Sequence, residues 1–456
     1  MYTMRKYFGT DGIRGVANVE LTPELAYKVA KSSAYVLAKN FTGEKPVVLI
    51  GKDTRISGDM LETAMVSGFC AAGIDVILLG VIPTPAVAYL TKKMNAIAGV
   101  VISASHNSYE FNGIKYFSNK GMKISDEIEE EIENLFESEK LNEINVSHEK
   151  LGICKKIENC YEEYIELFNT IFKGNLELKN DFVVGIDASN GATYAVAENI
   201  FKNLGVNYKI INNNPNGINI NKECGSTHME GLRKFVLENK LNLGVAYDGD
   251  GDRCLCIDDK GNMIDGDKML AVISLYLKSK QKLNNNTLVA TVMSNLGLSK
   301  FAKENDLDLL KAKVGDRYVL EEMIKNGHNL GGEQSGHVIL LDYNPTGDGI
   351  LTSIMMIQII LEYNKKLSEI CDIIKAYPQV LINAKVSNAK KHDYAKNETV
   401  KNEIENLEKE FADNGRVLIR PSGTEPLVRV MIEGEDITYI TKKAEELVAL
   451  IEKELK

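Results

Sequence analysis

Apolar residues in this chain fall in short unbroken runs, separated by stretches whose apolar positions recur at helical spacing. Val47-Val48-Leu49-Ile50, Asp75-Val76-Ile77-Leu78-Leu79 and Ala98-Gly99-Val100-Val101-Ile102 have strand length and read as buried strands. Helices fill the gaps. One opens at Thr22-Pro23-Glu24, where a capping hydroxyl precedes a proline suited to the first helical position; another runs from Asp59 to near Gly73; a third follows Pro85. The pattern then recurs: a strand at 182–187, a helix closing at Gly205 and a strand at 208–211, and again a strand at 288–292, a helix and a strand at 309–314. This is one α/β unit present about three times, and right-handed crossovers predict for each a mixed, mostly parallel sheet covered by helices.

From about Ser368 the pattern changes to a helix, a strand at 380–386, a charged helix, two strands round Val417 and Val430, and a terminal helix. That predicts a small α+β domain with an antiparallel sheet. The chain therefore divides into 1–150, 151–254, 255–367 and 368–456, three α/β parts and one α+β part. The most apolar helical stretch, 350–361, carries Thr352, Ser353 and Gln358 and is too short to span a bilayer, so it reads as a core helix.

Bulk numbers narrow the function. With 456 residues, 44% hydrophobic and 26% charged, the chain is an ordinary globular protein large enough for several cores. A net charge of −10 argues against general affinity for nucleic acid or for an anionic membrane. Seven scattered cysteines, an odd number without paired spacing, suit a reducing compartment. The first residues lack the apolar stretch of a signal peptide, and the expected location is the cytoplasm.

The densest chemistry lies in Tyr247-Asp248-Gly249-Asp250-Gly251-Asp252-Arg253, directly after an apolar strand. Glycines between the acids let the backbone curl so that carboxylate oxygens converge, an arrangement that makes sense around a hard divalent cation, Mg²⁺ before Ca²⁺. A calcium loop numbered from Asp248 would need glycine at Arg253 and glutamate at Asp259, so that reading fails; a solvated acidic turn is the plainer alternative. Arg253 adds a fork suited to phosphate.

Ser103-Ala104-Ser105-His106-Asn107 follows the strand that ends at Ile102, and in stacked α/β units ligand sites gather at the carboxyl ends of strands. Ser105 stands where a nucleophile would be. No G-x-S-x-G elbow occurs, and His106 is awkwardly placed to deprotonate its own neighbour. A phosphoserine that shares the cation with Asp248, Asp250 and Asp252 fits these facts; taken alone, Ser105 reads more readily as a serine capping a strand end, and only the other motifs reverse that.

Two further loops complete the set. Arg420-Pro421-Ser422-Gly423-Thr424, with Arg429 beyond, supplies guanidinium, hydroxyl and backbone donors that can surround a phosphate, though a polar turn has the same composition. Gly332-Glu333-Gln334-Ser335-Gly336-His337 puts a carboxylate and a hydroxyl two residues apart in a glycine-rich loop, suited to neighbouring hydroxyls of a sugar. Lys115 is a general acid/base if desolvated and otherwise a surface charge.

In this order, the Ser105 segment, the 248–253 loop, the 332–337 loop and the 420–424 loop resemble the α-D-phosphohexomutase superfamily over nearly the whole chain. Within it, Phe8-Gly9-Thr10-Asp11-Gly12-Ile13-Arg14-Gly15 and the 332–337 loop look like bacterial phosphoglucosamine mutases. The resemblance implies four domains round a central cleft and conversion of glucosamine 6-phosphate into glucosamine 1-phosphate, for UDP-N-acetylglucosamine and peptidoglycan synthesis. It implies a phosphoserine at Ser105, Mg²⁺ on Asp248, Asp250 and Asp252, and Arg14, His106, Lys115 and Arg253 round the reacting centre. It puts Glu333, Ser335 and His337 at the sugar, and Arg420, Ser422, Gly423, Thr424 and Arg429 at the phosphate that is not reacting. It admits a hexose 1,6-bisphosphate as activator and a homodimer. A phosphomannomutase/phosphoglucomutase and a non-catalytic phosphosugar-binding protein are the alternatives. Ser108 stands where the family often has proline.

Overall fold

The computed structural model describes residues 6–9, 11–39, 41–422 and 425–455. They form two compact units, one built from the chain up to Met293 together with Asp308–Asp372, the other from Ser294–Leu307 together with Ile373 onward.

The first unit holds three sheets. In the first, β1 (Phe8–Gly9), β2 (Gly12–Val16), β3 (Val47–Lys52), β4 (Asp75–Val81), β5 (Ala98–Ile102), β6 (Phe111–Ser118) and β7 (Cys154–Lys156) lie in the order β1-β2-β6-β5-β3-β4-β7. The second orders β8 (Val183–Asp187), β9 (Asn207–Ile211), β10 (Leu243–Tyr247), β11 (Cys254–Ile257) and β12 (Met263–Ile264) as β12-β11-β10-β8-β9. The third orders β13 (Thr287–Thr291), β14 (Asp308–Ala312), β15 (Leu330–Gly332) and β16 (Val338–Leu340) as β14-β13-β15-β16.

One plan underlies all three. In each, the first strand pairs in parallel with the second and the third, and the third then pairs antiparallel with a fourth: β3, β4, β5, β6; β8, β9, β10, β11; β13, β14, β15, β16. The repeat expected from the sequence is present, and the periodic helices cover it. The sequence pattern did not expose the antiparallel fourth strand, because β6, β11 and β16 are as buried as their parallel neighbours and show no alternation with water-facing residues.

Local signals account for the helix ends. Thr22 Oγ1 accepts from Leu25 N at 3.3 Å with Pro23 at the first helical position of Pro23–Ala38, and Gly205, at φ 74°, closes Val196–Leu204 in the left-handed conformation glycine tolerates. The apolar helix Gly349–Tyr363 is buried on nearly every side, as a core helix should be; Asp348 caps it and accepts from the Tyr164 hydroxyl at 2.8 Å. No helix among the described residues is long and apolar enough to cross a membrane.

The second unit is α+β. Its sheet, β17 (Gln379–Lys385), β18 (Gly415–Pro421) and β19 (Leu427–Gly434) in the order β17-β19-β18, is wholly antiparallel. Helices Glu398–Phe411 and Ile437–Glu454 pack on it through Leu407, Phe411, Ile440, Ala444, Leu447 and Ile451. The helix expected from Ser368 is a single turn, Leu367–Ile370, and belongs to the first unit.

Candidate active site

The shared plan places the site. The loops 103–110, 248–253 and 333–337 each join the third strand of a sheet to its antiparallel fourth, so all three occupy the same position in their repeats. Ser105, in the first, is buried and sits at φ 52°, a left-handed conformation that costs a non-glycine residue on the order of 1–2 kcal/mol. Its Oγ donates to Asp248 Oδ2 at 2.6 Å, across from one sheet to the next. Its backbone N–H donates to Ser103 Oγ at 3.0 Å, and Ser103 Oγ donates in turn to Asp53 Oδ2 at 2.6 Å.

Asp248, Asp250 and Asp252 are all buried, with one carboxylate oxygen of each within 4.8 Å of the others. Burial, then repulsion from Asp252 and Asp250, pushes the Asp248 carboxyl well above its ordinary value. Burial opposes ionisation of Asp252 too, but Lys115, His337 and Arg253 outweigh it and hold that carboxyl well below the usual range. Asp250 Oδ1 and Asp252 Oδ1 are buried without a hydrogen-bond partner. Buried carboxylates normally satisfy every oxygen, and hard oxygens converging with unused lone pairs fit a small divalent cation.

The glycines permit this turn. Gly251 is at φ 72°, and a Cβ on Gly249 would come within 2.5 Å of the Ser105 carbonyl oxygen. Gly249→Ala should therefore force the acid loop away from Ser105, and kcat is expected to fall about 100-fold, the usual consequence of misplacing reacting groups by about 1 Å.

Lys115, on β6, places its Nζ 2.9 Å from Asp250 Oδ2, 3.1 Å from Asp11 Oδ2 and 3.8 Å from Asp252 Oδ2. Burial favours the neutral amine, but these acids prevail and hold the ammonium above its ordinary range. The desolvation that a general acid/base requires is present, while the charge state is that of a donor. Arg14 pairs with Asp11, and Lys123 bridges Asp11 to Asp316, 2.7 Å from the latter. His337 lies between Asp252 and Asp316, 3.6 Å from each. Its Nε2 accepts from Gly347 N at 3.0 Å, which leaves Nδ1 to carry the proton facing Asp252. Acids thus alternate with nitrogen-bearing side chains round a ring of Lys115, Asp252, His337, Asp316, Lys123 and Asp11.

His106 is held neutral: burial, then Arg253 and Arg14, bring it down to about 4. Its Nδ1 is 3.4 Å from Ser105 Oγ and 3.3 Å from an Arg253 terminal nitrogen, with Arg253 N donating to Asp248 Oδ1 at 3.2 Å. In the 333–337 loop, Glu333 Oε1 accepts from Gly315 N at 3.2 Å, and Ser335 Oγ is buried and unpartnered. Cys254 N donates to Gly336 O at 3.0 Å, tying this loop to the acid loop.

In the second unit, Arg420 on β18 stands directly opposite Arg429 on β19. Burial, then Arg429, pulls the Arg420 guanidinium below its ordinary value. Like charges facing across a ladder are destabilising unless an anion joins them, so the pair suits a phosphate. Ser422 is buried and its Oγ accepts from Glu425 N at 3.1 Å; Gly423 and Thr424 lie outside the described residues, as does Thr10.

Asp11, Asp53, Arg55, Thr84, Lys123, Asn221 and Asp316 also meet the site residues, and no motif above assigns them a role. Thr84 Oγ1 donates to Asp250 Oδ2 at 2.7 Å. Asp53 and Arg55 follow β3 as Ser105 follows β5, so strand-end position would have found them. Asp316 likewise stands just beyond β14, whereas Asn221 carries no such signal.

Comparison with known proteins identifies the family. The phosphoglucomutase/phosphomannomutase family models match in order: alpha/beta/alpha domain I at residues 5–143, domain II at 162–261, domain III at 265–377 and the C-terminal domain at 381–450. The chain belongs to the phosphoglucomutase/phosphomannomutase family. Among its relatives, the phosphoglucosamine mutase of Acetivibrio thermocellus is 54% identical over 99% of this chain and 100% of its own length. The fold is also that of a phosphoglucomutase/phosphomannomutase family protein from Burkholderia thailandensis (TM-score 0.80, 21% identity, 97% of each chain). It is shared, too, with an Aspergillus fumigatus N-acetylphosphoglucosamine mutase in complex with GlcNAc-6P and magnesium (TM-score 0.70, 16% identity, 99% of this chain and 96% of that one).

Proposed function

We propose that this chain is an isomerase that interconverts glucosamine 6-phosphate and glucosamine 1-phosphate through a phosphoserine at Ser105, for UDP-N-acetylglucosamine synthesis in the cytoplasm. The observation that carries this reading is the 2.6 Å contact between Ser105 Oγ and Asp248, where a hydroxyl from one repeat meets the converging acids of the next. Identity to the Acetivibrio thermocellus phosphoglucosamine mutase supports the choice of sugar.

Ser105 transfers its phosphoryl group to O1 of the 6-phosphosugar: the Ser105 Oγ–P bond breaks, the O1–P bond forms, and the proton lost by the sugar hydroxyl ends on Oγ. The resulting 1,6-bisphosphate turns end for end, and its 6-phosphoryl group returns to Ser105 by the reverse exchange. Mg²⁺ held by Asp248, Asp250, Asp252 and the serine phosphate would offset the phosphoryl charge. Lys115 stays an ammonium and offers its charge to the group in transit; Arg14, His106 and Arg253 orient it. Glu333 and Ser335 hydrogen-bond sugar hydroxyls, with His337 fixing the loop beside them.

Arg420, Ser422, Gly423, Thr424 and Arg429 grip the distal phosphate, supported by the facing arginines. Arg420→Ala should remove a charge-assisted contact and raise KM about 10- to 100-fold, with less effect on kcat. We also propose four domains along the chain, the second extending through Ile264, since β11 and β12 pair beside β10. Purified protein assayed with glucosamine 6-phosphate and mannose 6-phosphate tests the function: the first should turn over faster, and faster turnover of the second refutes the proposed substrate.

A further inference from the structure

We propose that Arg55 and Asn221 are positioning residues that hold Ser105 in its left-handed conformation and so aim its hydroxyl, and the phosphoryl group it carries, at the acid loop. The kinetic part of this inference rests on the phosphoserine reading above; the structural part does not.

Both residues act on the same two carbonyls, which flank His106. Arg55 Nη2 donates to Ser105 O at 3.0 Å and to Asn107 O at 2.8 Å. Asn221 Nδ2 donates to the same oxygens at 2.8 and 2.9 Å. The remaining donors of Arg55 are also spent: Nη1 on Phe111 O at 3.0 Å and on Ser108 O, Nε on Asp53 Oδ2 at 2.8 Å. A guanidinium has five N–H groups in a fixed plane, and here three point into the backbone of this one loop and a fourth into the first residue of β6. Arg55 is buried, so each of these bonds is made away from water.

Asp53 ties the two ends of Ser105 together. It orients Arg55, which takes the Ser105 carbonyl, and it accepts from Ser103 Oγ, which takes the Ser105 amide. Asn221 supplies the second clamp from the neighbouring repeat; it is itself left-handed at φ 58° and anchored by its amide to Ser189 O at 2.9 Å. A strained residue keeps its conformation only where its surroundings over-determine it, and removing one clamp should release it. Ser105 can then turn about its N–Cα bond to negative φ, which carries Cβ and Oγ away from Asp248. Arg55 and Asn221 touch backbone and not the reacting atoms, so their loss should show in kcat and not in KM.

The test uses full-length Asn221→Ala beside the wild type, with a crystal structure, a melting curve and kinetics on glucosamine 6-phosphate. The variant is expected to fold, to show Ser105 at negative φ, to keep KM within about twofold and to lose at least tenfold in kcat. Retention of the left-handed Ser105, or a kcat within twofold of wild type, overturns the proposal. If Asn221→Ala does not fold, Arg55→Lys replaces it with the same expectations, since a lysine cannot reproduce the planar fork. If the wild type itself fails to turn over the sugar phosphate, the proposed function has failed, and the Ser105 conformation in the variant still decides the positioning claim.

Discussion

Ser105→Ala is expected to reduce phosphosugar isomerisation by about 10⁴-fold or more while leaving the fold intact. In the proposed mechanism the hydroxyl accepts and returns the phosphoryl group, and its two basic neighbours are already engaged: His106 Nδ1 faces an Arg253 terminal nitrogen at 3.3 Å, and Lys115 is held as an ammonium among three acids. The substitution keeps the Cβ and removes one hydrogen bond to Asp248. Its structural cost is therefore about 1 kcal/mol, too little to unfold a domain of this size. A coupled assay measures the activity, and a melting curve close to wild type separates lost chemistry from lost structure. Undiminished isomerisation would remove Ser105 from the mechanism.

Asp248→Asn is expected to abolish activity by a similar margin and yet to raise the melting temperature of the protein freed of divalent metal. Burial and two carboxylate neighbours make ionised Asp248 costly, so an uncharged amide relieves repulsion where no cation is bound. Added Mg²⁺ should stabilise the wild type, since a ligand that binds only the folded state shifts unfolding by mass action. The variant should gain little from it. Melting curves of both proteins with chelator and with Mg²⁺ check this crossing pattern. A variant less stable than wild type without metal would mean that Asp248 serves the fold through its hydrogen bonds and not the cation.

Much of this was legible in the sequence because glycine and buried strands write strong signals. The acid loop announced itself through Gly249 and Gly251, whose missing side chains the packing requires, and Ser105 through its place after the buried strand β5. The repeat was visible in the apolar runs, though its antiparallel fourth strands were not, since a fully buried strand looks alike in either direction. The supporting charges were the harder part. Lys123 and Asp316 are far apart in the chain and become partners only when two repeats pack, and Asn221 lies in a polar stretch that reads as an ordinary loop. Lys115 shows the limit from the other side: its burial could be guessed, but its charge depends on Asp11, Asp250 and Asp252 arriving from elsewhere. Residue type and strand-end position find the groups that react, while the groups that hold them emerge from tertiary packing.

The proposed mechanism requires one cation shared between the acid loop and a phosphate on Ser105. Pulsed electron-nuclear resonance on the phosphorylated protein, loaded with Mn²⁺ in place of Mg²⁺, reads this directly through the coupling between the metal and nearby phosphorus. Strong coupling to a single phosphorus, lost in Ser105→Ala, is the expected result. Bound Mn²⁺ showing no phosphorus coupling, in protein whose mass confirms a phosphoryl group on Ser105, would contradict it.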